Sequence, residues 1–212
     1  MILPITYAIT VCNELEEIVR LIDFLLPKIN VDDEILVQYD TDSATKEVID
    51  YLNIISQIHS NSIRVIDFPL NNDFATFKNN LKKYSNGIYI FQLDADEIPS
   101  EYLVTNLSMF LEHNKEVDLF FVPRINTVDG LTEEHIKKWG WNINDKGWIQ
   151  FPDYQTRIYR RTSEIEWVGN VHERIIGYNT LSALPMEEIF CLYHHKKIER
   201  QEKQNEYYST LA

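Results

Sequence analysis

Residues 88–97 have the sequence IYIFQLDADE, in which an apolar run leads directly into a cluster of acidic residues. The run, opened by Gly87, is typical of a buried strand that ends at Leu93. Ligands of open α/β sheets bind beyond the carboxyl ends of the strands, so the cluster Asp94, Asp96 and Glu97 is expected at a binding site. Neighbouring carboxylates repel one another unless a cation lies between them, and such oxygen ligands suit Mg²⁺ or Mn²⁺. The alternative is a solvated acidic turn that caps the next helix.

The residues before this strand alternate between strand and helix patterns. Strands are predicted at 5–11, 35–39 and 63–68, and helices at 13–26, 45–58 and 73–84, the first capped by Asn13 and the third by Asp73. This alternation predicts crossover units, a mainly parallel sheet and helices on both of its faces.

The regular alternation of strand and helix patterns ends after residue 98. We predict a helix at 100–113, strands at 117–122, 157–160 and 189–193, and a helix-prone polar stretch at 196–210. Residues 126–154 are expected to be irregular, with one short helix near 132–138, and the part at 126–150 could form a lid or a ligand-binding loop. The chain is therefore interpreted as one domain over residues 1–212, with a nucleotide-binding half at 1–98 and a second half at 99–212.

Charge and composition exclude several classes of partner. The net charge of -13 argues against nucleic acid and against a polybasic membrane contact, although a metal ion can supply the charge that a diphosphate needs. No apolar run is long enough to predict a transmembrane segment, and Met1–Val11 lacks the basic residues of a signal peptide. The two cysteines favour a reducing compartment, and hence a cytoplasmic location.

Two further segments lie where a phosphorylated ligand would be expected. Asp40 follows the second predicted strand, where an acidic residue can accept hydrogen bonds from a nucleobase or ribose; the alternative is a helix-capping turn. Lys78 lies on the helix before the acidic cluster and could meet a phosphate, or could be a solvated surface lysine.

Six segments in this order resemble the family 2 glycosyltransferases of the GT-A fold over nearly the whole chain. They are 10–14 (TVCNE), the turn at Asp40, 73–79 (DFATFKN), 93–97 (LDADE), 152–161 (PDYQTRIYRR) and 167–173 (WVGNVHE). The last two are similar to the subgroup that includes lipopolysaccharide-core β-glucosyltransferases. The resemblance implies a three-layer α/β/α sandwich around a mixed, mainly parallel sheet, with residues 99–212 binding the acceptor.

The resemblance also implies roles for individual positions in the donor site. The residues implied to bind the donor are Thr10, Asn13, Glu14, Asp40, Lys78 and Asp94. Asp94 and Asp96 would form the Asp-x-Asp element that holds ribose and Mn²⁺ or Mg²⁺, and His194, with His195 as an alternative, would complete the metal site. Lys78 stands where the family often has Arg, so its diphosphate contact would lack the guanidinium fork.

An inverting reaction, which the resemblance implies, needs a general base for the acceptor hydroxyl and no covalent nucleophile. Glu173 is the candidate, Asp153 is its alternative, and His172 would position the base or the acceptor. Glu173 could instead be an ion-pair partner of Arg174 or Arg157. The tryptophans of the second half could stack on a sugar, or could belong to the core; they are Trp139, Trp141, Trp148 and Trp167.

The sequence therefore predicts an inverting, metal-dependent transfer of a hexose from a nucleoside-diphosphate sugar, with UDP expected, to a hydroxyl of a glycan or glycolipid. A catalytically degenerate binding protein is one alternative. A nucleotidyltransferase is another, but residues 10–14 lack the glycine-rich, basic loop that it would need. A cytoplasmic enzyme, free or peripheral to the membrane, fits these features. The chain is short for the family, which leaves a homo-oligomer or another partner open.

Overall fold

The computed structural model describes residues 3–170 and 172–211, with side chains to residue 206; Met1, Ile2 and Val171 of the segments above lie outside the described residues. The predicted alternation in the first half is confirmed. Its elements are β1 (Ile5–Val11), α1 (Leu15–Leu25), β2 (Glu34–Asp40), α2 (Lys46–Ile58), β3 (Ile63–Phe68), α3 (Phe74–Tyr84) and β4 (Tyr89–Asp94).

The second half is richer in strands than the sequence pattern predicts. It contains β5 (Glu97–Pro99), α4 (Glu101–His113), β6 (Leu119–Asp129), α5 (Glu133–Trp139), β7 (Ile149–Arg160), β8 (Glu166–Val168), β9 (Arg174–Ile176), β10 (Leu181–Ala183), a 3₁₀ turn (Glu188–Phe190), β11 (Leu192–Lys197) and α6 (Ile198–Leu211). Among the described residues, no helix has both the length and the apolar character that crossing a membrane requires.

One large mixed sheet organises the molecule. Its strands run in the order β3-β2-β1-β4-β7-β6-β11-β5, and β10 adds to β6. The pairs of β1 with β2 and β4, of β2 with β3, and of β6 with β11 are parallel, whereas β7 is antiparallel to both of its neighbours. The carboxyl ends of β1, β2 and β4 consequently meet at one edge of the sheet. The α/β fold predicted from the sequence, with its central, mostly parallel sheet, is confirmed.

Alternation along the strands divides the core between the two faces of the sheet. Tyr7 and Ile9 of β1 point to the face covered by α1, α2 and α4, and Ala8 points to the face covered by α3 and the β8–β9 hairpin. All three side chains are fully buried. The helices and the hairpin thus hold the sheet between two outer layers.

Three boundaries differ from the sequence-based expectations. Glu14, and not Asn13, precedes the first turn of α1, because the Glu14 carboxylate accepts hydrogen bonds from the backbone of Cys12 and Asn13. The stretch at 126–154 contains the expected short helix (α5) and irregular residues at its centre, but β6 and β7 extend into its two ends, at 126–129 and 149–154. The last strand lies at 192–197 and not at 189–193; its inward positions are Leu192, His194 and Lys196, so an apolar pattern does not mark it.

Candidate active site

A cleft of about 670 Å³ opens at the edge where β1, β2 and β4 end. The predicted site residues that line it are Thr10, Glu14, Asp40, Lys78, Asp94, Asp96, Asp153, His172, Glu173 and His194. Asn13 lies outside the cleft lining and is exposed, although its neighbours Cys12 and Glu14 line it. His195 points away, with Nδ1 2.9 Å from the Thr127 hydroxyl and Nε2 3.0 Å from Asp129.

Asp94 is fixed in place from two sides. Thr10, its partner across the β1–β4 pair, donates a hydrogen bond of 3.0 Å from its hydroxyl to Oδ1, and Arg157 donates one of 2.5 Å to Oδ2. Burial raises the pKa of Asp94, but the positive charges of Arg157, Lys78 and Arg124 outweigh it and leave the pKa well below its usual range. Asp94 is therefore an ionised, oriented carboxylate whose Oδ2 already has a cationic partner.

The acidic cluster does have a cation between its carboxylates, and that cation is a guanidinium. Nη2 of Arg157 lies 2.6 Å from Oε1 of Glu97, a fully buried side chain, and 2.5 Å from Asp94. The guanidinium of Arg124 forms ion pairs with both Glu97, at 2.8 Å, and Asp153, at 2.7 Å. The sequence predicts Glu97 only as a member of the acidic cluster and Arg157 only as a possible partner of Glu173, and it predicts no role for Arg124. The extra carboxylate of the cluster was the one signal that a buried cation was required.

Asp96 faces the predicted metal ligand on β11. Nε2 of His194 lies 3.4 Å from Oδ2 of Asp96, and Nδ1 of His194 lies 2.7 Å from Oδ1 of Asn126. The contact with Asn126 at Nδ1 orients the imidazole so that Nε2 points toward Asp96, an orientation found in metal-bound histidines. Burial by itself raises the pKa of Asp96. The hydrogen bond and charge of His194 and the charge of Lys196 have a larger, opposite effect and lower the pKa to about 2.

These residues fit a divalent ion in part. Asp96 and His194 offer one oxygen and one nitrogen on the same side of the cleft, and both are mostly buried. Asp94 is turned toward Arg157 instead. In the part of the chain that the structure describes, no group of three or more His, Cys, Asp or Glu side chains is arranged around a common point. A metal ion held here would need its remaining ligands from a bound molecule, as Mg²⁺ commonly takes them from phosphates.

The two candidate bases have different surroundings. Oε1 of Glu173 lies 2.5 Å from Nζ of Lys78, so its ion-pair partner is neither Arg174 nor Arg157. Asp153 accepts four hydrogen bonds, from Nε and Nη2 of Arg124 and from the amides of Asn126 and Gln155. Burial raises the pKa of Asp153, but these partners lower it below its usual range. These partners oppose a role for Asp153 as a general base.

The remaining predicted donor residues shape the turns at the cleft. Oδ1 of Asp40 accepts hydrogen bonds from the backbone N–H groups of Asp42 at 3.2 Å and Leu70 at 2.9 Å. The Glu14 carboxylate accepts a hydrogen bond of 2.9 Å from the Arg200 guanidinium. Both carboxylates line the cleft while they hold neighbouring backbone in place.

The tryptophans divide between core and surface. Trp167 is buried, donates a hydrogen bond of 3.2 Å to the Tyr159 hydroxyl and lies 4.5 Å below Nζ of Lys78. Trp141 is the one tryptophan in the cleft lining within the described chain. Trp167 is thus a core residue that also positions Lys78, and Trp141 is the one available to a ligand in the cleft.

The cleft concentrates charge of both signs. Its basic residues are Lys78, Arg124, Arg157, Lys196 and Arg200, and its acidic residues are Glu14, Asp40, Asp94, Asp96, Asp153 and Glu173. Each of these cations lies within 4.0 Å of a carboxylate. An anionic ligand that binds these cations must therefore replace the carboxylates that lie beside them in the free chain.

Comparison with known sequences gives one family. The sequence profile of "Glycosyl transferase family 2" matches residues 6–190, which is most of the chain. No curated protein sequence matches the chain.

Comparison with solved structures shows a shared fold. The structure of S. aureus TarS 1-349 is 14% identical, with a TM-score of 0.61, and the match covers 92% of this chain and 60% of that one. The same protein in complex with UDP gives 13% identity and a TM-score of 0.62, over 91% and 60% of the two chains. Its complex with UDP-GlcNAc gives 15% and 0.61, over 92% and 59%. The chain thus spans about 60% of the length of TarS 1-349.

Proposed function

Because the chain belongs to glycosyl transferase family 2 and is a glycosyltransferase, we propose that it moves a hexose from a nucleoside-diphosphate sugar to a hydroxyl of a glycan or glycolipid, with inversion at C1. One observation carries this proposal. The ends of β1, β2 and β4 bring Thr10, Asp40 and Asp94 to the same cleft as a second group of residues contributed from elsewhere, namely Lys78, Asp96, Glu173 and His194.

The donor nucleoside is assigned to the edge formed by β1 and β2. Thr10, Glu14 and Asp40 would contact the base and ribose there, and Asn13 would lie at the margin of the cleft. The TarS complexes with UDP and UDP-GlcNAc have the same fold, which supports UDP as the nucleoside diphosphate. Asp94 would accept hydrogen bonds from the donor through the oxygen that faces Thr10.

A divalent ion, Mn²⁺ or Mg²⁺, is assigned to Asp96 and His194. When bound, it would offset the charge that develops on the departing diphosphate. The hydrogen bond between Asn126 and Nδ1 of His194 supports this assignment, because it orients the imidazole with Nε2 toward Asp96.

Transfer requires the acceptor hydroxyl to lose its proton as its oxygen bonds to C1 and the bond from C1 to the diphosphate breaks. Glu173 would take that proton, with His172 positioning the acceptor. Lys78 connects the two events, since its ammonium group can turn from Glu173 to a donor phosphate and leave the carboxylate free. Asp153 remains the alternative base, but its four hydrogen bonds oppose that role.

The acceptor class rests on the sequence resemblance. Segments 152–161 and 167–173 support a place in the lipopolysaccharide-core β-glucosyltransferase subgroup, and hence a glycolipid precursor as acceptor. Such an enzyme would act in the cytoplasm or at the inner membrane surface, and a second copy of the chain or another protein would help to bind the acceptor.

Thermal unfolding with UDP-, GDP-, dTDP- and CMP-sugars, each with and without Mn²⁺, tests the proposal. A ligand at about 100 times its dissociation constant adds roughly 2.7 kcal/mol to the free energy of unfolding. We expect a shift with UDP-sugars that Mn²⁺ increases and that Asp96→Asn loses. Asp23→Asn, at an exposed position on α1, is the matched control and should behave as wild type.

The negative result is equally informative. If no nucleoside-diphosphate sugar shifts the unfolding of the wild type, donor binding is refuted and the catalytically degenerate binding protein becomes the better explanation. A shift with GDP-sugars alone would retain the glycosyltransferase site and refute UDP.

A further inference from the structure

The last strand and helix supply cleft residues that lie beyond the family match, which ends at residue 190. We propose that Lys196 of β11 and Arg200 of α6 form the diphosphate-binding subsite of the cleft, an inference that rests on the proposed nucleoside-diphosphate donor. Both residues line the cleft, and neither was singled out by the sequence.

Among the described residues, the buried Lys196 has an incomplete set of partners. Its side chain is 7% exposed, on the inward face of β11 and two residues from His194. Its Nζ lies 2.5 Å from Oε1 of Gln204 but 4.0 Å from Oδ2 of Asp96, which is beyond a hydrogen bond. A buried ammonium group that reaches only one neutral acceptor closely is disposed to bind an anion.

Arg200 reaches across the cleft from α6. Its guanidinium lies 2.8 Å from Oε1 of Glu17, 2.9 Å from Oε1 of Glu14 and 3.4 Å from Oδ2 of Asp96. The side chain is 34% exposed, so these contacts can be exchanged for others. The planar guanidinium fork binds the paired oxygens of a phosphate as well as those of a carboxylate. Asp96 brings Arg200 and Lys196 to the same point, beside the assigned metal ligands.

The other cations of the cleft are less free to serve this purpose. Arg157 is 5% exposed and lies between two carboxylates, and Arg124 links Glu97 to Asp153. Moving either would leave the fully buried Glu97 without its full set of partners, which is costly. Lys78, on α3, is paired with Glu173. A strongly acidic chain thus provides Lys196 and Arg200 as the cations that can turn to a diphosphate near Asp96.

Because these cations are part of the chain, UDP should bind measurably with EDTA present. Calorimetry with UDP, and ligand-observed NMR with uridine, both in EDTA, separate the phosphate contacts from the nucleoside contacts. Replacing a charged hydrogen-bonding group should weaken UDP binding about tenfold to 100-fold. We expect that loss in Arg200→Gln and in Lys196→Gln, with uridine binding unchanged.

Matched variants separate the subsite from a general effect of charge or folding. Arg20→Gln and Lys197→Gln remove the same charges at exposed positions and should bind UDP as wild type does. Arg200→Lys keeps the charge without the fork and should lose less than Arg200→Gln. Glu17→Gln removes a competitor for Arg200 and should hold or raise the UDP affinity, whereas a purely structural contact between α1 and α6 predicts a loss.

Three results would overturn the inference. The first is UDP binding of wild-type strength in both Arg200→Gln and Lys196→Gln. The second is wild-type binding of UDP that occurs only with Mn²⁺, which would leave the proposed function intact and assign the diphosphate to the metal alone. The third is a wild type that binds no nucleoside diphosphate in either condition, which would refute the inference and the proposed function together.

Discussion

The Nζ atom of Lys78 lies 2.5 Å from Oε1 of Glu173, and the two side chains are 7% and 16% exposed. The pair joins α3 to the segment before β9 across the cleft. Because Lys78 also lies near enough to Asp94 to lower its pKa, its charge acts on the proposed donor site as well as on the proposed base. Donor binding that draws Lys78 toward the phosphate would release Glu173 when an acceptor can use it.

We therefore expect Glu173→Gln to separate transfer from donor binding. General base catalysis contributes about 10²-fold to 10⁴-fold to the rate, and the variant should lose that factor in UDP release from a UDP-sugar. Its affinity for UDP should stay the same or rise, because Lys78 no longer has a competing carboxylate. Rate and affinity are measured on the same preparation by UDP detection and calorimetry.

The exposed Glu166→Gln on β8 is the control for Glu173→Gln and should keep the wild-type rate. A Glu173→Gln protein with an unchanged rate would remove Glu173 from the reaction and return Asp153 to consideration.

Asp153→Asn should act mainly on stability. Its carboxylate is 27% exposed and bonds to Arg124, so its loss should cost about 1–3 kcal/mol of unfolding free energy at pH 7. The folded-state pKa is lowered, so this stabilisation is complete above the unfolded pKa of about 3.9 and is lost as pH falls through the folded value. Urea unfolding at pH 7 and at about pH 3 checks both parts. A difference that grows in acid would contradict the assignment.

Arg157→Gln should be among the more destabilising single changes in the cleft. It leaves the fully buried Glu97 carboxylate with less charge compensation, and removing one partner of a buried pair costs about 3–5 kcal/mol. The double variant Glu97→Gln/Arg157→Gln should be more stable than the sum of the single losses predicts, because both charges are then absent.

Denaturant unfolding of the four members of that cycle measures the coupling, with Arg20→Gln as an exposed arginine control. Additive losses would mean that Arg157 does not compensate Glu97.

The first half of the fold followed from its sequence because local pattern and tertiary role agree there. β1 and β3 have the predicted bounds, and Asp73 caps α3 by accepting a hydrogen bond from the backbone of Thr76. Apolar strands buried on both faces, separated by amphipathic helices, leave few alternative arrangements. Asp94 and Asp96 of the acidic cluster line the cleft for the same reason, whereas Glu97 is buried beneath it.

The second half could not be predicted to the same degree, because its order comes from pairing between distant residues. The inward side chains of β11 include His194 and Lys196, which an apolar period cannot detect. Arg124 and Arg157 lie on strands that are stabilised by each other, so the network that orients Asp94 became apparent only with the fold. In a sequence, charged residues that line a cleft cannot be distinguished from charged residues on the solvated surface.

The adjacent residues His194 and His195 offer a matched test of the metal site. His194 is 9% exposed and faces Asp96, whereas His195 does not line the cleft and contacts Thr127 and Asp129. If Nε2 of His194 is a ligand, Mn²⁺ should raise the affinity of the wild type for UDP. In His194→Gln, the increase in UDP affinity caused by Mn²⁺ should be about tenfold to 100-fold smaller. Mutations of residues that surround a bound metal have effects of this size on metal affinity.

The affinity for UDP in EDTA should change little in His194→Gln, because Lys196 and Arg200 remain. His195→Gln should retain the full effect of Mn²⁺. Calorimetric titration of UDP into each protein, with and without Mn²⁺, gives the increment directly. Equal increments in the two variants would exclude His194 as a ligand, since the side chains differ in the direction they face and not in chemistry. Loss of UDP binding in EDTA for His194→Gln alone would instead assign the imidazole to the nucleotide itself.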